Sequence, residues 1–364
     1  MEEKIAVRVI TKYLKKGNMA RCLRDILPSG GLSKQQREEI AEIIHDVVRW
    51  KRLYEHIIDI QALPSSAETY LKLARDGAQA DAASYPFEYR YSCSPYVARI
   101  LKDHAEWAEF LNETPPTTLC VNFNKTTTDS AMTMLQAESL SVERSVLPTA
   151  LHTTSVGKYS KVVEQRYAHV QDETSQLVSH LTASLGESVF DYCAGNGGKS
   201  LAIASLTCNK KNIHAYEMND SKRAILRRRC DEYNAHVIVD ETVSEKQFDV
   251  VLVDAPCTGL GAARRNPEAK YVQESGDLPK AQLSILKQAA IHVKEGGMLL
   301  YAVCTVTPEE TTQVVETFRS DDAFTVGWFS HQPLEKFLRK GTQGAFTSLP
   351  RGDLFFLSVL HKET

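Results

Sequence analysis

The chain has 364 residues, of which 43% are hydrophobic and 24% charged, with a formal net charge of -3 at pH 7. This exceeds one ordinary domain and predicts two or three packed units around a substantial core. It excludes a uniformly basic nucleic-acid binder, so any polyanion must meet local patches.

Eight cysteines, at positions 22, 93, 120, 193, 208, 230, 257 and 304, form no CxxC pair and no regular spacing. That argues against a disulfide framework or a zinc ribbon. The eleven histidines show no HExxH or other ligand spacing, so no metal site is expected. The opening MEEKIAVRVI has no apolar core with a cleavage site, and no apolar run approaches the roughly 20 residues that span a bilayer. We expect a reducing, cytoplasmic setting, a monomeric chain and no membrane partner.

Residues 1–84 read as helical. Ser33 with Gln36 forms a capping-box pattern, and Ile40, Ile43, Ile44, Val47 and Val48 recur at helical spacing, which predicts one long helix from Ser33 to the Leu63-Pro64-Ser65-Ser66 breaker. Lys12, Lys15, Lys16, Arg21, Arg24, Arg49, Lys51 and Arg52 gather here, as a solvated helix surface or, in the alternative, a nucleic-acid contact. Residues 85–170 are mixed, with Pro95, the pair Pro115-Pro116, a short strand near Leu119–Phe123 and a helix near 129–139, and are expected to form a small α+β unit.

From residue 171 aliphatic strands alternate with helices. Strands are expected at 189–193, 213–217, 237–239, 248–254 and 298–304, with helices at 201–206, 221–233 and 279–293 between them. The runs near 324–329 and 354–360 would complete the sheet. Such alternation implies a parallel, doubly wound α/β sheet. Arg227, Arg228 and Arg229 on the second of these helices read as a solvated face.

The stretch VFDYCAGNGGKSLAIASL is a strand, a glycine turn and a helix start. A P-loop would need glycine five residues before Gly198, where Cys193 stands, and the third glycine of a dinucleotide fingerprint is Ser200. The tight turn remains, and Glu217 ends the next strand, where it can accept from ribose hydroxyls. A nucleoside-containing cofactor without a pyrophosphate fits better than NAD. Asp254 and Cys304 each close a predicted strand, and Cys257 follows Asp254 by one Ala-Pro turn. If those strands are neighbours, both thiols meet in one crevice beside the glycine loop, which suggests covalent chemistry.

The stretches DYCAGNGGKS, VLVDAPCTGLGAARRNPEAKY and YAVCTVTPEE, with HVQDETSQLV upstream, resemble the motif series of the RNA cytosine-5 methyltransferases of the Sun/RsmB (Nol/Nop/Sun) family across residues 165–310. More weakly, residues 1–60 are similar to its NusB-like helical extension, Tyr91–Phe123 to its small RNA-binding subdomain and Gly352–Phe356 to its C-terminal strand. The resemblance implies a Rossmann-like class I methyltransferase sheet of seven mostly parallel strands over 171–364, preceded by a NusB-like region over 1–84 and an RNA-binding subdomain over 85–170.

It further implies S-adenosylmethionine as cofactor and a cytosine in RNA as target, with ribosomal RNA favoured and transfer RNA the alternative. Cys193, Ala194, Gly195, Asn196, Gly197, Gly198 and Lys199 would wrap the methionine end, Glu217 the ribose and Asp240 the adenine, with Asp254 between cofactor and base. Spacing leaves open which thiol attacks carbon 6. DNA cytosine-5 enzymes use the cysteine of a Pro-Cys pair, here Cys257, whereas the RNA family uses the later motif, here Cys304. We assign Cys304 as nucleophile, Cys257 to release, and Lys199 to holding Asp254. Arg264 and Arg265 would clamp phosphate. The family's loop reads Ala-Pro-Gly-Gly where this chain has Gly195-Asn196-Gly197-Gly198; its threonine before the nucleophile is Val303, and an arginine of its small subdomain is Cys120. The competing reading is a non-catalytic RNA-binding ribosome assembly factor, which predicts loss of a thiol, of Asp254 or of the glycine loop. All are present.

Overall fold

In a computed structural model of the chain, residues 1–243, 246–321, 324–328 and 332–363 are described. They form two compact units, one of residues 1–115 with 262–274 and the other of 116–261 with 275–364.

The first unit is helical, built from Glu2–Lys16, Met19–Ile26, Lys34–Arg49, Lys51–Ile60 and Ala67–Arg75, then the short Phe87–Arg90, Pro95–Leu101 and Ala105–Phe110. Apolar residues at helical spacing fill its core, with Val9, Ile10, Ile44, Val47, Val48, Leu53 and Tyr54 fully buried. Both hydrogen bonds of the Ser33–Gln36 capping box are present. The single long helix expected beyond it is broken at Trp50, whose backbone (φ -107, ψ 13) leaves the helical region before Lys51 starts the next helix.

Residues 262–274 are pinned into this unit by side chains the helices cannot satisfy alone. Lys270, 1% exposed, donates to the carbonyls of Arg49 (2.8 Å) and Tyr91 (3.2 Å) and to Asn112 Oδ1, while Tyr271 donates its hydroxyl to the Val48 carbonyl at 2.6 Å. The sequence boundary at 84/85 therefore differs from the break in packing at 115/116, because Tyr91, Ser94 and Asn112 all bond to this inserted segment or its anchors.

The second unit holds two sheets. β1 (Thr117–Val121), β2 (Val142–Arg144), β3 (Ala150–Thr153) and β4 (Ala168–Val170) make an antiparallel sheet in the order β2-β3-β1-β4. It packs with the larger sheet's helices: Asn122 Nδ2 donates to the Tyr233 carbonyl (2.8 Å) and Ser205 Oγ accepts from the Phe123 amide (2.7 Å). Cys120, on β1, is 1% exposed, and burial pushes its thiol up to about 12.

The larger sheet comprises β5 (Ser188–Asp191), β6 (Asn212–Tyr216), β7 (Ile238–Asp240), β8 (Phe248–Asp254), β9 (Val293–Val303), β10 (Phe324–Gly327), β11 (Leu338–Lys340), β12 (Ala345–Thr347) and β13 (Phe356–Lys362). Their order is β11-β12-β13-β9-β8-β5-β6-β7, with β10 also paired to β13. The expected count of seven is thus corrected to nine among the described residues, since the short hairpin β11–β12 carries too little aliphatic pattern to announce itself. β9-β8-β5-β6-β7 is the parallel core, and it has the Rossmann-like methyltransferase form. Val250–Val253 and Leu299–Val303 are fully buried, as strands covered on both faces by helices must be. Phe329, expected at the end of the penultimate strand, lies outside the described residues.

Candidate active site

The chain runs β5, β6, β7 in one direction across the sheet and then returns to place β8 on the other side of β5. Ligands bind beyond the carboxyl ends of strands at such a reversal. Asp191 ends β5, Glu217 follows β6, Asp240 ends β7, Asp254 ends β8 and Cys304 follows β9.

The glycine loop is shaped by its backbone. The Ala194 amide donates to the Tyr216 carbonyl and the Gly197 amide to the Ala194 carbonyl at 2.8 Å, closing a turn before the helix Gly198–Leu206. Gly195 (φ 56) and Gly197 (φ 84) are left-handed, and a Cβ on Gly197 would stand 2.3 Å from Leu226 Cδ1. Arg229 donates to the Asn196 carbonyl at 2.7 Å, so one arginine of the expected solvated face instead holds this loop. Arg227 and Arg228 pair with Glu241 and Glu232.

The loop opens on a cleft of about 350 Å³ lined by Cys193, Ala194, Gly195, Asn196, Gly198, Lys199 and Asp254, together with Gln171, Asp172, Ser175 and Asp191. Asp191 is 1% exposed, and burial raises its carboxyl to about 6 despite a 2.6 Å hydrogen bond from Ser200. Burial and the carboxylates of Asp191, Asp254 and Glu217 push the Cys193 thiol up, so it lines the cleft as a neutral group. Lys199 Nζ lies 2.5 Å from Asp254 Oδ2 and 5.5 Å from the Phe355 ring centroid. Burial alone would lower the Lys199 ammonium, but the adjoining Asp254 holds it above its ordinary value.

β8 and β9 are neighbours, with Asp254 opposite Ala302. That adjacency brings Cys257 Sγ to 3.3 Å from Cys304 Sγ, both free and half-buried. Cys304 is held well above the ordinary thiol range, first by its hydrogen bond with Cys257, then by burial and the Asp254 charge, with Lys199 opposing. Glu217 Oε1 accepts from the Asn219 amide at 2.8 Å, and Asp240 Oδ2 sits 2.9 Å from His214 Nδ1. Sequence reasoning missed His214, which is 1% exposed, and it missed Glu310, whose buried carboxylate joins the two cysteine loops. His214 lies in no motif, and Glu310 closes the stretch YAVCTVTPEE without any role being read for it there; Asp240 on the neighbouring strand and the loop and helix residues Thr258, Gln282 and Thr307 give them their places.

Arg264 requires correction. It is 2% exposed within the first unit, its guanidinium 3.9 Å from the Phe110 ring centroid and 3.6 Å from Glu113, so it is packed rather than presented to phosphate. Arg265 is half-buried. Among the described residues no group of three His, Cys, Asp or Glu side chains could hold a metal, and no helix is long and apolar enough to cross a membrane.

A family model described as 16S rRNA methyltransferase RsmB/F matches residues 178–361, half of the chain and the larger sheet but for the last residue of β13. The chain belongs to the RsmB/F methyltransferase family. It is 34% identical over 221 residues to the probable ribosomal RNA small subunit methyltransferase B of Bacillus subtilis, covering 56% of this chain and 49% of that protein. It thus spans about half the length of the curated relatives it matches. Among solved structures, PH0851 superposes with a TM-score of 0.78 at 19% identity over 100% of this chain and 99% of that one. NSun6 from Pyrococcus horikoshii, solved with SFG, gives 0.63 at 16% identity over 74% and 98%. At these identities the likeness is one of fold, which the RsmB/F family model refines.

Proposed function

We propose that this chain transfers a methyl group from S-adenosylmethionine to carbon 5 of a cytosine in RNA through a covalent bond between Cys304 and the base. The observation that carries this reading is the thiol pair at 3.3 Å, with the Cys304 thiol within reach of the charges of the Lys199–Asp254 pair that lines the glycine-loop cleft. Relatives named for small-subunit ribosomal RNA favour ribosomal over transfer RNA. The reading includes a monomeric chain acting in the cytoplasm, the larger sheet and its helices as the catalytic part, and the small sheet as an RNA-contacting part.

The residues of the cleft fit the cofactor. Asp191 Oδ1 is buried without a partner at the loop, and Glu217 closes the neighbouring strand with a carboxylate suited to ribose hydroxyls. Cys193–Lys199 would hold the methionine end and Asp240 the adenine. When bound, S-adenosylmethionine supplies an electrophilic methyl group. Carbon 5 of cytosine is a poor nucleophile until sulfur adds at carbon 6, which is the task of Cys304. As that bond forms the Cys304 proton would pass to ring nitrogen 3 of the base, since Cys257 and burial keep the free enzyme in the thiol form. Asp254, held by Lys199, accepts from the base. Cys257 then assists loss of the carbon 5 proton, after which the sulfur–carbon bond breaks.

Denaturing electrophoresis with labelled RNA and cofactor tests this assignment. Cys304→Ala should neither methylate nor form an adduct, and Cys257→Ala should accumulate protein joined to RNA. An adduct in the first and none in the second reverses the two roles. Methylation intact in both removes covalent catalysis from this pair.

A further inference from the structure

Glu310 is fully buried one turn beyond Cys304, in the short 3-10 helix Pro308–Glu310. Four donors reach its carboxylate. Oε2 accepts from the Thr258 amide at 2.8 Å and from Gln282 Nε2 at 3.0 Å, while Oε1 accepts from the Thr258 hydroxyl at 2.5 Å and the Thr307 hydroxyl at 2.8 Å. The second hydrogen of Gln282 Nε2 goes to the Pro256 carbonyl at 2.9 Å. Thr258 Oγ1 in turn lies 2.9 Å from Thr305 Oγ1.

These partners have a pattern. Pro256 and Thr258 flank Cys257, Thr305 follows Cys304, and Thr307 completes the same turn. The residues next to both thiols are therefore tied through one carboxylate that touches neither sulfur. A carboxylate offers about four acceptor sites and no donor, which matches four converging donors. An amide in its place offers fewer acceptor sites and would turn two N–H donors toward Thr258 and Gln282.

Taking the reaction proposed above as its setting, we propose that Glu310 is a positioning residue that locks the Cys257 and Cys304 loops in one register and so sets the approach of the two thiols. Its effect on chemistry is indirect, through the placement of Cys304 against the base and of Cys257 against carbon 5.

The test uses the full chain and phenylarsine oxide. Two thiols displace the oxide from one trivalent arsenic, forming two sulfur–arsenic bonds and one water with no change of oxidation state. Capture across Cys257 and Cys304, followed by mass spectrometry of the intact chain and its peptides, should be fast in the wild type and lost in Cys257→Ala. In Glu310→Gln capture should slow at least tenfold, and kcat for RNA methylation should fall by about 100-fold, the cost of roughly 1 Å of misplacement. The affinity for S-adenosylmethionine and the KM for RNA should stay within about twofold of the wild type. Thr258→Val, which keeps the backbone donor and the side-chain shape, should shift capture and kcat in the same direction by less and serves if Glu310→Gln does not fold. Capture at the wild-type rate in both variants would overturn the proposal. Slowed capture in the variants, with a wild type that does not methylate RNA, would sustain the positioning role and defeat the methyl-transfer reading instead.

Discussion

Gly261→Ala is the substitution whose cost the structure sets most directly. The Gly261 amide donates to the Cys304 carbonyl at 3.0 Å, and its own carbonyl accepts from the Leu354 amide at 3.0 Å. The loop that carries Cys257 is thereby fastened to the strand end that carries Cys304. A Cβ at this position would stand 1.9 Å from the Leu354 carbonyl oxygen, and that is backbone, which cannot swing aside as a side chain can. Reaching ordinary contact at 3.4 Å needs a displacement of about 1.5 Å, enough to break both hydrogen bonds. Losing two bonds and leaving buried groups unpaired costs about 2–5 kcal/mol. Gly259 in the same loop is a control: it has φ 74 with nothing within 4 Å of a built Cβ, so Gly259→Ala should cost only about 1–2 kcal/mol, from conformation alone. Urea denaturation followed by circular dichroism should rank the two in that order, and the same preparation of Gly261→Ala should lose RNA methylation. A Gly261→Ala protein within about 1 kcal/mol of the wild type, or less destabilised than Gly259→Ala, would refute the reasoning.

Three further outcomes are expected. Burial raises the Asp191 carboxyl to about 6 from an unfolded value of roughly 3.9, so between those pH values the native state binds the proton more tightly, and stability falls as pH rises through that window by up to about 3 kcal/mol. Asp191→Asn should remove this part of the slope in urea midpoints taken from pH 4 to 7, and parallel wild-type and variant curves would contradict it. Glu217→Ala should weaken S-adenosylmethionine about tenfold by calorimetry through loss of an acceptor for the ribose, and unchanged affinity would place the ribose elsewhere. Arg264→Ala should lower stability by about 2 kcal/mol through its packing on Phe110 and leave the salt dependence of RNA binding as it is, whereas Arg265→Ala is expected to reduce the slope of log K against log salt by about 1. A flattened slope in Arg264→Ala would restore it as a phosphate contact.

The central strands β5–β9, the turn at Gly195–Gly198 and the motif residues were legible in the sequence because each depends on short-range physics. Aliphatic runs such as Val250–Val253 suit doubly covered strands, and a turn with φ 56 and φ 84 favours glycine. The Ser33–Gln36 cap is local in the same sense. Tertiary structure alone decided what depends on distant partners. That β8 lies beside β9 follows from the crossover at β5, and this adjacency turns a separation of 47 residues between Cys257 and Cys304 into 3.3 Å. Arg264 reads as an exposed basic residue until Phe110 and Glu113 are placed against it, and Glu310 reads as one acid among many until Thr258, Gln282 and Thr307 converge on it. A charged side chain takes its role from the groups that surround it once it is removed from water, and those groups come from parts of the chain that only folding brings together.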